Sequence, residues 1–228
     1  MNCTSDMFTL SLSPDLQSRC PDYRGAAVLA QVANTPFCEG LWQEIDTFTQ
    51  ALRATQTADS IKQQPAIAAT REAYRRLGKD PSRYRPSAEA LRRRLLRGLE
   101  LYKIDTLVDL INLVSLRTGY SIGGFDADKI QGTALCLGVG RAGEPFEGIG
   151  RGTLNIEGLP VFRDSAGGIG TPTSDHERTK MELGTRRILA LINGYDGDES
   201  RLHEAAAMTQ DLLRRYAASD GGTVTYFR

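Results

Sequence analysis

The chain has 228 residues and a mass of 25.0 kDa, enough to bury a core as one large domain or two small ones. Its hydrophobic share of 40% and charged share of 25% are those of an ordinary globular protein and not of a disordered or membrane one. Lysine plus arginine equals aspartate plus glutamate at 28 each, so no whole-molecule field steers polyanions and any nucleic-acid surface has to be local.

Along the chain, FTLSLS alternates apolar and polar from Phe8 to Ser13 and stops at Pro14, the pattern of a half-buried strand closed by a turn. A second strand is expected within residues 26–32, AAVLAQV, ended by Asn34-Thr35-Pro36. Leu41, Ile45, Phe48 and Leu52 recur at helical spacing and predict an amphipathic helix over 39–53, with Trp42 and Phe48 as core residues. Pro65 opens the next helix, whose apolar Ile67, Tyr74 and Leu77 carry it to Gly78. KDPSRYRPS, residues 79–87, is a loop, because Asp80-Pro81 and Arg85-Pro86 each disfavour helix at the residue before proline. Ser87 offers an N-cap for a helix over 88–101, with Leu91, Leu95 and Leu96 inward and the arginines mostly outward.

VDLINLVSLR predicts another apolar helix over 106–117. Glycines then crowd in, and QGTALCLGVG, GTLNIEG and LPVFRD read as strands joined by Gly-containing turns. Two last helices are expected over 175–192 and 201–217, separated by a loop over 193–198, before TVTYF returns as a strand. No internal repeat or low-complexity linker interrupts this order. The expected fold is therefore α+β: a single domain over 1–228 with a largely antiparallel sheet or sandwich core flanked by helices.

No apolar run approaches the roughly 20 residues of a spanning helix. The opening MNCTSDMFTLSLSPDL has no basic segment followed by an apolar one, so it does not read as a signal peptide. The expectation is a cytoplasmic protein with no membrane partner. Cys3, Cys20, Cys38 and Cys136 are scattered without a C-x-x-C pair and read as free thiols, some of them in the core. His176 and His203 are the only histidines, which argues against a His-rich metal centre or a Ser-His-Asp triad; both read as surface polar residues. One segment is basic: between Arg71 and Gly98 the chain carries ten Arg and Lys residues against Glu72, Asp80 and Glu89.

Three local signals stand out: Val108-Asp109-x-x-Asn112, Gly124-Phe125-Asp126-x-Asp128-Lys129-Ile130-x-Gly132, and Gly143-Glu144-Pro145-Phe146. They are followed by Phe162-Arg163-Asp164, Gly168-Ile169-Gly170 and Ser174-Asp175. In this order and spacing the chain resembles the B-three/four editing domain of the bacterial phenylalanyl-tRNA synthetase beta subunit. There, a VDVTNYV-type helix precedes HAFDLDKI-x-G and a GE-containing turn. The resemblance is strongest over 91–189, and REAYRRLGKDPSRYRPS followed by EALRRRLLRG is similar to the N-terminal half of free-standing relatives. By position Asn112 matches the family Asn, whereas Ile111 stands where the family has Thr and Gly123 where it has His.

The resemblance implies a fold like that editing domain, a tRNA or aminoacyl-tRNA partner, and hydrolysis of a misacylated ester in trans. The chain carries no ATP-binding or amino-acid-activating motif, so it is not a complete ligase, and neither DNA nor a cofactor is implied. An aminoacyl ester is already activated, so a positioned water and donors for the developing oxyanion suffice. The pocket candidates are Asn112, Ser115, Asp126, Asp164, Ser174, Asp175, Arg178 and Thr179. Ser174-Asp175 reads either as a plain helix N-cap or as part of an anion site at a helix N-terminus. Asp126 reads as fixing the turn after Phe125 or as touching ligand. Glu144, Glu147 and Glu157 are candidates for a general base on a pocket rim, each without a partner identifiable from sequence. The glycines from Gly148 to Gly170 form no phosphate loop and no dinucleotide fingerprint.

For RNA the candidates are Arg83, Tyr84, Arg85, Arg92 and Arg93, guanidinium groups for phosphates beside an aromatic ring for base stacking. Tyr84 and Arg85 could equally pin their loop to the domain body, and the helix arginines could equally form a solvated face. Two other functions remain open on the same fold: a non-catalytic RNA-binding module, and a binding protein for an amino-acid-like small molecule.

Overall fold

The computed structural model describes residues 8–228; Cys3 lies outside them. β1 (Thr9–Leu12) passes through Ser13, whose hydroxyl accepts the Leu16 N–H, into the short helix α1 (Pro14–Arg19). β2 (Arg24–Gln31) precedes five helices, α2 (Glu39–Thr55), α3 (Ala58–Gln63), α4 (Pro65–Arg76), α5 (Ser87–Leu96) and α6 (Thr106–Thr118). Then come β3 (Ser121–Asp126), β4 (Ala134–Val139), the short β5 (Glu147–Gly148) and β6 (Gly152–Thr153), β7 (Pro160–Asp164) and β8 (Gly167–Gly170). β9 (Arg187–Gly194), α7 (Glu199–Tyr216) and β10 (Thr223–Phe227) come last.

Eight of the strands form two four-stranded sheets, ordered β10-β2-β9-β3 and β1-β4-β7-β8, in which every pairing is antiparallel except β1 with β4, and β5 pairs with β6. The first sheet is the middle layer. Because side chains alternate across a strand, Ala26, Val28 and Ala30 of β2 and Ile188, Ala190 and Ile192 of β9 join the core shared with α2, α5, α6 and α7. Ala27 of β2 and Leu189 and Leu191 of β9 join a second core beneath the other sheet, with Phe162 and Ile169. A fold of helices, sheet and second sheet results, in the α+β class.

This layering explains the largest departure from the sequence reading. Residues 175–192 are not a helix: they form one 3₁₀ turn, Glu177–Thr179, then an irregular stretch, then β9. β9 is apolar on both faces because it is the inner strand between two cores, so ILALI shows no period-2 alternation and reads like a buried helix. The helix over 88–101 stops at Leu96, where Gly98 takes a left-handed backbone, φ +75°, that other residues resist. Ser87 is not the N-cap of α5; Pro86 occupies that position, and the Ser87 N–H donates to the Pro172 carbonyl. GTLNIEG yields only the two residues of β6 as strand, while Leu154 and Ile156 pack in a satellite cluster with Tyr74 and Phe146. Among the described residues Cys20, Cys38 and Cys136 are free, and Cys20 is buried. No helix among the described residues is long and apolar enough to cross a membrane.

Candidate functional site

α6 is set by Asp105, whose carboxylate accepts the Val108 N–H at its first turn. Most of the helix is buried in the core against α7 and the middle sheet. Val108, Ile111, Asn112 and Ser115, at i, i+3, i+4 and i+7, form one face, and that face lines a cavity of about 470 Å³. The opposite wall is Ile122 and Gly124 of edge strand β3, which point to the helix side of the sheet, together with Thr171, Ser174, Asp175, Lys180 and Met181. Ser87, Ile104 and Ile149 complete the lining. A Cβ at Gly124 would sit 2.6 Å from Met181 Cε and 2.7 Å from Ile111 Cδ1, so the missing side chain lets helix, strand and Met181 converge around the opening.

Asp175 is placed by a tight turn. Thr171 gives its N–H to the Ser174 carbonyl, and its hydroxyl accepts the N–H groups of Thr173 and Ser174, folding the chain back so that Asp175 bridges Gly170 of β8. One carboxylate oxygen, Oδ2, accepts the Gly124 N–H at 3.1 Å. The other, Oδ1, has no hydrogen-bond partner among the described residues, and lies where side chains are missing: a Cβ on Gly170 would approach it to 2.8 Å and one on Gly123 to 3.1 Å. Solvent reaches part of the residue through the cavity mouth, but protein surrounds the carboxyl itself. That desolvation pushes its pKa up to about 7, against the lowering effect of the Gly124 N–H.

The Asn112 amide and the Ser115 hydroxyl have no hydrogen-bond partner among the described residues either. Buried or half-buried polar groups are ordinarily paired, so three unpaired groups on one cavity mark it as a place where a ligand or water completes the bonding. The remaining lining is largely aliphatic. An apolar chamber of this volume with a few convergent polar groups has the form of a small-molecule site.

Four of the eight sequence candidates therefore meet here: Asn112, Ser115, Ser174 and Asp175. Ser174 and Asp175 do so from a turn and an extended segment, so there is no helix N-cap at Ser174 and no anion site built on a helix N-terminus. The other four candidates do not line the cavity. Asp126 is buried, fixing the turn through the Asp128 N–H and accepting the Thr185 hydroxyl at 2.8 Å. Asp164 and Arg178 hold each other in a two-pronged ion pair at 2.9 Å, with the Gln131, Ala166 and Gly167 N–H groups on the same carboxylate. Burial pushes Asp164 up, but the guanidinium and the amides outweigh it and hold its pKa below the usual range. Thr179 is fully buried.

The carboxylates and histidines have structural roles too. Glu144 is bound by both arms of Arg163, at 2.6 and 2.7 Å, and Glu147 and Glu157 are exposed. His176 caps the 3₁₀ turn through the Arg178 N–H and packs edge-on to Phe146. His203 packs against Tyr226 with the two rings tilted by 60°. No cluster of three or more His, Cys, Asp or Glu among the described residues could hold a metal.

The RNA candidates divide sharply. Arg92 is buried and donates to the Leu116 carbonyl, so it does not face solvent. Arg93 is half-buried on Glu89, a fully buried carboxylate that also holds Arg71 at 2.8 Å. Tyr84 packs into the satellite cluster with the Lys79 ammonium 3.8 Å over its ring, and Arg85 turns toward Ser82 and Glu89. Only Arg83 of the five is on the open surface. Arg71, Arg85 and Arg93 of this segment gather on the buried Glu89, while Arg75, Arg76, Arg83 and Arg97 stay at the surface, a division that composition alone does not reveal.

Sequence reasoning missed Ser87, Ile104, Val108, Ile122, Gly124, Ile149, Thr171, Lys180 and Met181 as cavity residues. The signal was present only on α6, in the four-residue face that includes Asn112.

The B3/4 domain family model matches residues 69–217. Among solved structures the chain is similar to an N-terminal fragment of the phenylalanyl-tRNA synthetase beta subunit from Pyrococcus horikoshii, with a TM-score of 0.51 and 13% identity. That match covers 95% of this chain and 50% of the fragment, so the chain spans half the length of its structural relative, and at this identity the likeness is one of fold. No curated protein matches. With the family model covering well over half of the sequence, the chain belongs to the B3/4 domain family.

Proposed function

We propose that the protein binds the aminoacyl end of a charged tRNA in the α6–β3 cavity and hydrolyses its ester, acting in trans as a deacylase. The observation that carries this reading is that Asn112, Ser115 and Asp175, each with hydrogen-bonding capacity that no described residue takes up, line one largely aliphatic chamber of about 470 Å³. The structural likeness to a tRNA synthetase subunit supports the choice of an aminoacyl-tRNA over other esters.

In this reading Asp175 is the general base. Ionised, it takes a proton from a water whose oxygen bonds to the ester carbonyl carbon; the Asn112 amide donates to the oxyanion that forms. The bond from that carbon to the ribose oxygen then breaks, and the proton held by Asp175 passes to the ribose oxygen. A pKa of about 7 suits both steps near neutral pH. The isoleucines and Met181 receive the side chain of the amino acid.

The test is deacylation of a pool of correctly and incorrectly charged tRNAs, with Asn112→Ala beside the wild-type chain. One mischarged species should be lost faster than in buffer, and Asn112→Ala should slow that loss about 100-fold while remaining folded. Loss at the buffer rate across the whole pool overturns the hydrolase. The balanced charge, 28 against 28, favours a second reading, in which the same cavity holds a free amino-acid-like molecule without RNA. Calorimetric binding of an amino acid with no effect of added tRNA would favour that one.

A further inference from the structure

We infer that the loop from Arg97 to Ile104, with Phe37 beside it, is a stacking platform for the unpaired 3′ end of an RNA, leading into the cavity. This rests on the tRNA reading above. The surface is distinct from the Arg83–Arg85 loop that the sequence suggests.

The loop exposes what a soluble surface ordinarily hides. Leu99 is 46% exposed, Tyr102 65%, Ile104 55% and neighbouring Phe37 47%, and Ile104 also lines the cavity. These side chains are held in place. The Ile104 N–H donates to Asp109, whose other carboxylate oxygen accepts the Trp42 indole N–H at 2.7 Å. Arg94 donates to the Glu100 carbonyl and Arg53 to the Leu99 carbonyl. Exposed apolar side chains on a pinned loop are a preformed contact surface.

Charge chooses the occupant. The Arg94 guanidinium lies 3.8 Å over one face of Tyr102, and with the residue this exposed the other face is open. Lys103 Nζ lies 4.8 Å over Trp42 and 5.3 Å over Phe37. Arg53, Arg94 and Lys103 thus edge the aromatics, against the exposed carboxylates of Asp46 and Glu100 and the buried one of Asp109. Aromatic faces edged by cations are what single-stranded nucleic acid recognises, bases on the rings and phosphates on the cations. A groove of about 240 Å³ between α2 and this loop, lined by Trp42, Arg53, Leu101 and Lys103, gives such a strand a track. Because Ile104 sits on the cavity wall, a strand bound along the loop delivers its 3′ terminus to Asn112 and Asp175.

The probe is an uncharged, fluorescein-labelled RNA hairpin with a short unpaired 3′ tail, compared with a blunt hairpin by anisotropy across a salt series. The wild-type chain should prefer the tailed RNA. Tyr102→Ala should weaken its binding about ten-fold. Lys103→Glu should weaken it and lower the salt slope by about one, while Arg83→Ala changes little. Both altered side chains are exposed, so melting temperatures should stay unchanged.

If tailed RNA binds and neither Tyr102→Ala nor Lys103→Glu weakens it, the platform is overturned while the tRNA reading stands. If binding shows these sensitivities but no ester is hydrolysed, the platform stands and the hydrolase falls. If no RNA binds at low salt, both are overturned. A molecular mass by light scattering that halves in Tyr102→Ala, with RNA binding unchanged, would make this face a contact between copies of the chain instead.

Discussion

Replacing Asp175 by Asn removes the one cavity carboxylate while keeping an oxygen that can accept the Gly124 N–H. The carboxyl is raised from its ordinary 3.8 to about 7 by desolvation. At about 1.4 kcal/mol per tenfold change, that corresponds to roughly 4 kcal/mol of differential interaction between its two protonation states. Below about pH 4 the group is protonated both folded and unfolded, and no penalty applies. Between pH 4 and 7 the unfolded chain releases the proton and the folded one keeps it, so the penalty for folding grows. Above about pH 7 the carboxylate is ionised in both states and the full penalty opposes folding. The Asn side chain never ionises. Urea unfolding of the two proteins should therefore show Asp175→Asn gaining on the wild type by roughly 3 to 4 kcal/mol between about pH 4 and about pH 8.5, with other titrations cancelling in the difference. A difference that stays constant over that range would refute the claim that burial strains this carboxyl. In the deacylation assay the wild-type rate, relative to Asp175→Asn, should climb as pH rises through about 7, because only the ionised carboxylate accepts a proton.

Two further outcomes follow from packing and from buried charge. Glu89→Ala should cost about 3 to 5 kcal/mol in urea unfolding, since it leaves the 7%-exposed Arg71 without its counter-ion; a loss below about 1 kcal/mol would mean that the network can rearrange. Gly170→Ala should cost about 1 to 3 kcal/mol, because its Cβ would stand 2.5 Å from Phe125 Cζ and 2.8 Å from Asp175 Oδ1. An unchanged unfolding midpoint would show that Phe125, 1% exposed, has room to move.

The sequence carried the helices well wherever one face meets solvent. α2 was legible because Leu41, Ile45 and Leu52 are buried while the charged positions between them are not. β9 was not, because the inner strand of a layered fold is apolar on both faces and loses the alternation that identifies a strand. Its misreading carried Ser174 and Asp175 with it, placing two residues that line the cavity on the wrong element. The arginines failed for a different reason: charge along a chain does not reveal which carboxylate lies underneath, and Glu89 holds Arg71 and Arg93 from positions 18 residues before and four after it. Asp109 of the Val108-Asp109-x-x-Asn112 signal has a role visible only in three dimensions, tying Trp42 to the loop that carries Ile104.

Gly123 ties these observations together. The resemblance places a His of the synthetase domain at this position, and here the space beyond its backbone is occupied: a Cβ would stand 2.6 Å from the Phe125 ring and 3.1 Å from Asp175 Oδ1. Gly170, on the neighbouring sheet, faces the same two groups. Two glycines therefore clear the volume that Phe125 and the Asp175 carboxyl fill together, and the polar group nearest the cavity wall comes from the turn after β8 rather than from β3. Restoring His at 123 cannot simply add a polar side chain to the pocket; it has to displace Phe125, which is buried in the second core, or Asp175. Ile111, standing where the synthetase pattern has Thr, makes the same wall more apolar. On the proposed deacylase reading, the cavity wall itself is changed at Ile111, because Gly123 faces Phe125 on the other side of β3. The charged-tRNA pool should then show faster loss of apolar aminoacyl groups, whose side chains leave no hydroxyl unpaired against Ile111, Ile122 and Met181, than of hydroxylated ones, and equal rates would refute it.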